Sequence, residues 1–211
     1  MRDMKNLECL LPDTQRLLLE LIDHCEFLRK YVLCDGSALA LYLCHRKSED
    51  LDFFTYGDDF DLKEIFDYLN TFKNAQIINQ NNGQVDALVN GVKLTFFNAK
   101  WSFLKPDKIQ PFNLSSIESI AGMKVNTLFL RAKYRDYYDL YFLAKKEMAL
   151  KDIFESGLSI MPNINFKLFA MALVYVEDIE DDNIDYLDPV ESIPKNKIAD
   201  FFKVKLKNYG A

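Results

Sequence analysis

The stretch that decides the fold runs over residues 36–54 and has the sequence GSALALYLCHRKSEDLDFF. A Gly-Ser pair opens it, an apolar helical segment follows, and a strand with two alternate carboxylates closes it. Because side chains alternate between the two faces of a strand, Asp50 and Asp52 share one face, while Leu51 and Phe53 point into the core. The pattern predicts an acidic pair displayed on one face of a sheet.

Two aspartates side by side repel each other unless a cation lies between them. Magnesium takes hard oxygen ligands and keeps waters and substrate phosphates as its other ligands, so it is the candidate ion. Gly36 and Ser37 precede a helix, where free N–H groups and the helix dipole favour a phosphate. Asp-x-Asp alone is often an ordinary exposed feature, and Ser37 alone an ordinary N-cap. Together these features indicate phosphoryl transfer.

This stretch resembles the first motif of the nucleotidyltransferase superfamily that includes DNA polymerase β, and within it the AbiEii/AbiGii toxin family. Residues 33–41 are similar to that family's apolar–Gly-[Gly/Ser]-[Ser/Thr]-Ala-Leu-Ala-Leu turn. Residues 45–54 are similar to its His-Arg-x-Ser-x-Asp-Leu-Asp-Phe-Phe run. The resemblance implies metal binding and catalysis by Asp50 and Asp52. It implies substrate binding by Gly36, Ser37, Arg46 and Ser48.

The amino-acid composition limits the classes of protein to which this chain can belong. The 211 residues are 49% hydrophobic and 14% aromatic, which predicts a packed globular protein with a substantial core. The net charge of −6 argues against holding nucleic acid by bulk electrostatics, although a local basic patch stays possible. There is no signal peptide and no run of 18 apolar residues. We therefore expect a soluble, cytoplasmic protein that binds neither membrane nor DNA.

The four cysteines all lie in the N-terminal quarter of the chain and lack the spacing of a metal site. Cys34 and Cys44 flank the helix after the Gly-Ser pair in apolar surroundings. Buried free thiols are therefore predicted there.

Local patterns place the elements around this stretch. Apolar positions with helical spacing predict a helix over residues 14–30, and residues 31–34 are predicted to form a short strand. The acidic residues 58–61 predict an N-cap for a helix that ends near Phe72. Residues 76–80, 84–89 and 92–97 are predicted to be strands, the last two joined by a two-residue Asn-Gly hairpin turn.

That hairpin register pairs Asp86 with Thr95. Superfamily enzymes commonly carry a third carboxylate on a strand beside the Asp-x-Asp strand, and related chains can have Asp where Thr95 stands here. Directly paired residues have Cβ atoms within about 5.5 Å on one face. We therefore hypothesise that Asp86 replaces the third carboxylate, so that the predicted metal ligands are Asp50, Asp52 and Asp86. The alternative is that Asp86 belongs to a solvated face.

The second half of the chain begins after a proline-containing linker, residues 101–111. Residues 117–131 are predicted to be helical, which places Lys124 and Arg131 on one face. Helical periodicity could continue through residue 143, and a break around residues 132–135 is equally compatible.

This half again resembles the toxin family, whose later motifs are a Lys-x(5–7)-Arg pair and a [Lys/Arg]-Asp-x-x-Asp-Leu run. Lys124 and Arg131 match the first, and residues 135–140 match the second. The resemblance implies that Lys124 is catalytic and that Arg131 binds substrate, both neutralising triphosphate charge. Asp136 and Asp139 could orient the lysine or accept a substrate proton. The alternative is a solvated charged face with an ordinary ion pair.

The predicted fold is α/β: a nucleotidyltransferase-like domain with a small mixed sheet and flanking helices over residues 1–105. A helical domain, residues 106–211, is expected to complete the active-site cleft. The predicted function is Mg²⁺-dependent transfer of a nucleoside monophosphate from a nucleoside triphosphate to an acceptor hydroxyl, with release of pyrophosphate.

The resemblance also implies the toxin of a bacterial type IV toxin–antitoxin or abortive-infection (phage-defence) system. Its acceptor would be RNA, with tRNA as the candidate, and its partner a separately encoded antitoxin protein. Two alternatives stay open: a catalytically idle relative that binds nucleotide or RNA, and a nucleotidyltransferase that modifies proteins.

Overall fold

The computed structural model describes residues 6–180 and 183–209. The outer ends of the two predicted domains, residues 1–5 and 210–211, lie outside the described residues. The chain divides into two compact units, residues 1–116 and 117–211. A mixed five-stranded sheet and eight α-helices make up the described chain, and the predicted α/β class is confirmed.

The sheet belongs to the first unit and has the strand order β1-β2-β5-β4-β3. Neighbouring strands are antiparallel except for β2 and β5, which are parallel. The strands are β1 (Tyr31–Cys34), β2 (Leu51–Thr55), β3 (Ala75–Asn81), β4 (Gln84–Val89) and β5 (Val92–Phe97).

The β4–β5 hairpin has the predicted turn and register. Asn90 and Gly91 form the turn with φ of 50° and 85°, a left-handed geometry that Asn and Gly tolerate best. Asp86 pairs with Thr95, as predicted.

Hydrophobic residues cover one face of the sheet. Leu51 and Phe53 of β2, Leu94 and Phe96 of β5, and Val85 of β4 are all fully buried. Because strand residues alternate in direction, the residues between them must face the other side. Asp52 of β2 and Asp86 of β4 therefore lie on the opposite face of the sheet.

Three helices accompany this sheet. The first ends earlier than predicted, because Cys25 is extended and a 3₁₀ turn over Glu26–Lys30 replaces its last part. Asp61 caps the third helix by accepting hydrogen bonds from the backbone N–H groups of Lys63 and Glu64, as predicted, but the helix ends before residue 72. The helices are α1 (Pro12–His24), α2 (Asp35–Leu43) and α3 (Leu62–Leu69).

A disulfide ties the N-terminal segment to the end of α2. Cys9 and Cys44 are bonded with Cα atoms 5.3 Å apart, so the prediction of a free thiol is wrong for Cys44. The reason is a contact that sequence spacing does not show: Ser48 N–H donates to the Cys9 carbonyl, which holds the two segments together. Cys34 is a buried free cysteine, as predicted.

The second unit is helical. Its first two helices are separated at Ala132, whose φ of 44° ends the helical path, so the break that the sequence left open is present. The first and third helices of the unit approach closely at Gly122, where an added Cβ would lie 2.6 Å from the Ser156 carbonyl oxygen. The helices are α4 (Ile117–Leu130), α5 (Tyr134–Lys146), α6 (Leu150–Leu158), α7 (Phe166–Val174) and α8 (Lys195–Tyr209).

A membrane-crossing helix needs about 20 mostly apolar residues. Over residues 6–180 and 183–209, none of the helices has that combination of length and apolarity.

Candidate active site

One residue from each strand forms a row across the sheet. Strand pairing aligns Cys34 with Asp52, Asp52 with Thr95, Thr95 with Asp86, and Asp86 with Asn79. Directly paired residues project to the same side of a sheet. The row therefore brings Asp52 and Asp86 to one face, with Thr95 between them.

Asp50 lies two residues before Asp52, outside this row, and its backbone is fixed by α2. Strand β2 begins at Leu51, so Asp50 immediately precedes the strand. Its carbonyl oxygen accepts a hydrogen bond from the hydroxyl of Ser37, which is buried in the first turn of α2. Ser37 therefore links the predicted phosphate-binding turn to the acidic pair through the Asp50 backbone.

Electrostatics at Asp52 indicate a surplus of negative charge. Burial, followed by the charges of Asp35 and Asp50, raises the pKa of Asp52 to about 6. The charge of Lys93 and a hydrogen bond from Thr95 act in the opposite direction but are outweighed. Carboxylates that lie close together favour the binding of a cation between them.

Asp35 and Lys93 are residues that the sequence reasoning missed. Asp35 opens α2 with a φ of 53°, at the position where the resembled motif has its first Gly. That departure from the motif was the signal for Asp35. Lys93 precedes Thr95 by two positions on β5 and so shares its face, a signal available from strand alternation alone.

Gly36, Arg46 and Ser48, which were predicted to bind substrate, lie together beside α2. A Cβ added to Gly36 would lie 3.0 Å from an Arg46 guanidinium nitrogen and 3.3 Å from the Ser48 hydroxyl. Arg46 and Ser48 are buried, and Arg46 also donates to the Lys47 carbonyl. Glycine at position 36 thus leaves room for the guanidinium, which supports the loop that leads into Asp50.

Asp86 is held by three uncharged donors. Its carboxylate accepts hydrogen bonds from the Thr95 hydroxyl at 2.8 Å, from the Gln84 amide at 2.8 and 3.0 Å, and from the Asn79 amide at 3.0 Å. Burial acts to raise the pKa of Asp86, but these hydrogen bonds and the charge of Lys93 lower it below its ordinary value. Asp86 is therefore a stable anion at neutral pH.

The donors on this face are carboxylate and hydroxyl oxygens, the kind that Mg²⁺ prefers. Ligands of one metal ion must lie close together. In the described part of the chain, three His, Cys, Asp or Glu residues have ligand atoms within 4.8 Å of one another at Glu8, Cys9 and Cys44. The two cysteines among them are already joined in the disulfide. The predicted trio of Asp50, Asp52 and Asp86 does not meet that distance, so the donors fit an ion held by fewer carboxylates.

The predicted charged residues of the second unit form a compact buried cluster. The Lys124 ammonium lies 2.7 Å from an Asp139 oxygen and 3.5 Å from an Asp136 oxygen. Arg131 donates to both oxygens of Asp136 at 3.0 and 2.9 Å. Lys124, Asp136 and Asp139 are at most 1% exposed. The structure thus brings together all four residues predicted in this half.

Charge is balanced within this cluster. Burial acts to raise the pKa of Asp136, but Lys124 and Arg131 lower it below its ordinary value. A carboxyl group with a lowered pKa is a weak proton acceptor. Arg131, whose side chain is 36% exposed, retains the most contact with solvent among these four. Lys124 is thus held between Asp136 and Asp139.

A family model provides the first comparison with known proteins. Residues 101–161 match the family described as "Nucleotidyl transferase AbiEii toxin, Type IV TA system". That segment contains Lys124, Arg131 and the run at residues 135–140.

Relatives match nearly the whole chain. An uncharacterized protein of Aquifex aeolicus (strain VF5) is 28% identical over 204 residues, covering 94% of this chain and 97% of that protein. The crystal structure of JHP933 from Helicobacter pylori superposes with a TM-score of 0.55 at 19% identity, covering 95% of each chain. MenT4, a nucleotidyltransferase toxin from Mycobacterium tuberculosis H37Rv, gives 0.57 at 12% identity, covering 93% of this chain and 86% of MenT4.

The predicted resemblance to the AbiEii toxin nucleotidyltransferases is confirmed by these matches. The solved structures share the fold, and the family match over residues 101–161 adds the sequence likeness.

Proposed function

We propose that this chain uses Mg²⁺ to transfer a nucleoside monophosphate from a nucleoside triphosphate to an acceptor hydroxyl. The observation that carries the proposal is the acidic face around Asp52, whose pKa is raised by burial and then by the charges of Asp35 and Asp50. Neighbouring carboxylates weaken the fold unless they are neutralised, and a metal–triphosphate complex supplies the cation.

Asp50 and Asp52 would hold the ion, and Ser37 fixes the Asp50 backbone through its hydroxyl. When bound, Mg²⁺ would neutralise the developing negative charge on the phosphates and the leaving pyrophosphate. The acceptor oxygen bonds to the α-phosphorus as the bond to the bridging oxygen breaks, and pyrophosphate departs with that electron pair. The acceptor's proton passes to solvent, because Lys124 and Arg131 lower the pKa of Asp136 and make it a poor proton acceptor.

Arg131 is the residue of the buried cluster that we propose contacts phosphate, since its guanidinium is partly exposed. Lys124 then acts inside the cluster, holding Asp136 and Asp139. This arrangement keeps the forked donor of Arg131 oriented by Asp136, as bidentate recognition of a phosphate requires.

The family description supports a role as the toxin of a type IV toxin–antitoxin system, with an antitoxin protein as partner. We propose in addition that it acts in phage defence in the cytoplasm. We propose tRNA as the acceptor. With a net charge of −6, the chain would meet RNA through a local basic patch such as Lys133 and Arg135.

One observation favours a second candidate, an idle relative that binds nucleotide or RNA without transferring anything. Thr95 supplies a neutral hydroxyl where superfamily members can carry a carboxylate, which reduces the anionic ligands available to an ion. The negative net charge similarly favours a protein acceptor over RNA.

The test is incubation of the purified protein with each α-labelled nucleoside triphosphate, Mg²⁺ and total cellular RNA and protein. Nuclease and protease digestion then identifies the labelled product, and Asp50→Ala/Asp52→Ala is the control. We expect nuclease-sensitive label with the native protein only. Protease-sensitive label would indicate protein modification. Nucleotide binding without transfer would indicate the idle relative.

A further inference from the structure

Thr95 occupies a position between two acidic residues on different strands. Strand β5 separates β2 from β4, and Thr95 is paired with Asp52 on one side and Asp86 on the other. Its hydroxyl donates to Asp86 at 2.8 Å, and both residues are buried. Neither Thr95 nor Asp86 belongs to the resembled motifs.

Distance argues against Asp86 as a direct ligand of an ion at Asp52. Adjacent strands lie about 4.8 Å apart, so residues two strands apart have backbones about 10 Å apart. Ligands of one Mg²⁺ lie at about 2.1 Å from it, and therefore within about 4.2 Å of one another. The oxygens of Asp86 are moreover engaged by Thr95, Gln84 and Asn79.

Asp86 can act on the ion indirectly, through the hydrogen bond that it accepts from the Thr95 hydroxyl. A threonine hydroxyl has one hydrogen to donate and two lone pairs to accept with. The one hydrogen of the Thr95 hydroxyl can serve Asp86, at 2.8 Å, or Asp52, whose pKa a Thr95 hydrogen bond lowers. When Thr95 gives it to Asp86, its oxygen can act toward other groups only as an acceptor or a ligand. A charge-assisted hydrogen bond also increases the electron density of that oxygen.

We propose that Asp86 is a positioning residue that acts through Thr95, making the Thr95 hydroxyl a polarised oxygen ligand, or water acceptor, for the divalent cation at Asp50 and Asp52. The charge of the third carboxylate is thus displaced by one strand rather than lost. This inference rests on the proposed function, and it assigns Gln84 and Asn79 the task of keeping Asp86 anionic and in place.

The experiment measures Mn²⁺ affinity of the full chain by titration calorimetry, without nucleotide, in a double-mutant cycle. The isosteric changes Thr95→Val and Asp86→Asn should each weaken affinity about tenfold or more, as the loss of groups that support a metal ligand does. The double variant should be no weaker than Thr95→Val alone, since Asp86 has no other route to the ion. Thr95→Ser keeps the hydroxyl and should keep affinity within about twofold.

A gain-of-charge variant provides the second arm. Thr95→Asp combined with Asp86→Asn places the carboxylate directly on β5, and we expect it to bind Mn²⁺ at least as tightly as the native chain. Thermal unfolding of every variant excludes loss of fold as the cause.

Additive losses in Thr95→Val and Asp86→Asn would overturn the inference, as would native affinity in either one. If the native chain binds no Mn²⁺, or Asp50→Asn/Asp52→Asn binds it normally, the proposed function fails and the inference with it. If the native chain binds Mn²⁺ through Asp50 and Asp52 but the losses in Thr95→Val and Asp86→Asn are additive, the inference is rejected and the proposed function stands.

Discussion

On the sheet of the first unit, burial and then the charges of Asp35 and Asp50 raise the pKa of Asp52, and the charge of Lys93 does not offset them. Between α4 and α5 of the second unit, two carboxylates meet two cations at hydrogen-bond distance. Both regions are acidic motifs in sequence. The first lacks neutralising charge and the second contains its own.

The difference separates two uses of charge. A buried group of ions that is complete stabilises or specifies the fold, and removing one member leaves the others unpaired. A group of like charges costs stability and is retained where it binds something. The two regions should therefore respond in opposite ways to neutralising substitutions.

The largest effect is expected from Asp52→Asn. The rate of label transfer should fall about a thousandfold or more, because charge stabilisation by a bound metal is worth several kcal/mol. Initial rates measure the loss, and the exposed Asp107→Asn is a control with native rate. At pH 7, the urea midpoint of Asp52→Asn should be at least as high as that of the native chain. A lowered midpoint would instead indicate that Asp52 is needed for folding.

Lys124→Met tests the balanced region. We expect the free energy of unfolding to fall by about 3–5 kcal/mol, because Asp136 and Asp139 would keep buried charges without their shared cation. Urea unfolding measures the change. Lys63→Met breaks the exposed Lys63–Asp67 pair and should cost at most about 0.5 kcal/mol. Equal costs at the two sites would contradict a buried, interdependent cluster.

Arg131→Gln should have an intermediate effect on function. Loss of charged hydrogen bonds to a phosphate should raise the KM for substrate about tenfold. Arg131→Lys keeps the charge but loses the fork, and should recover only part of this. Steady-state kinetics provide the measurement, with Lys151→Gln as a control at an exposed lysine of α6. An unchanged KM would restrict Arg131 to holding Asp136.

The smallest effect is a pH dependence. The folded-state pKa of Asp52, about 6, lies above the usual value of about 3.9, so the folded chain binds the proton more tightly. The stabilisation that Asp52 contributes to the folded chain is therefore fully present below about pH 4. It is lost as the pH rises through 6, which lowers the free energy of unfolding by about 1–2 kcal/mol. Urea unfolding in chelator at several pH values should show it, and Asp52→Asn should abolish the difference. A stability that rises between pH 4.5 and 7 relative to Asp52→Asn would be the wrong sign.

Local rules were enough to predict much of the first unit. Strand alternation placed Asp52 opposite the buried Leu51 and Phe53, the Asn-Gly turn set the Asp86–Thr95 register, and Asp61 was recognised as a cap. Each of these depends on neighbours within a few residues, which is why a single sequence contains them.

Other features depend on contacts between distant segments. The disulfide between Cys9 and Cys44 requires knowledge that Ser48 pairs with the N-terminal segment. The burial of Lys124 requires knowledge of what packs around α4, because helical spacing alone is compatible with a solvated face. Asp35 was overlooked because it lies inside a stretch that otherwise matches the family motif, at the one position where the motif has Gly instead.

The order of strands in the sheet also has a kinetic consequence. Strands β3, β4 and β5 are consecutive in the chain, whereas β2 joins β5 in parallel across a long intervening segment. Loop closure must precede the contacts that reward it, so pairings between distant segments form more slowly than hairpins. Asp86 and Thr95 therefore come together early in folding, and Asp52 joins them late. The acidic face is complete only after the hairpin that carries Asp86 and Thr95 has formed.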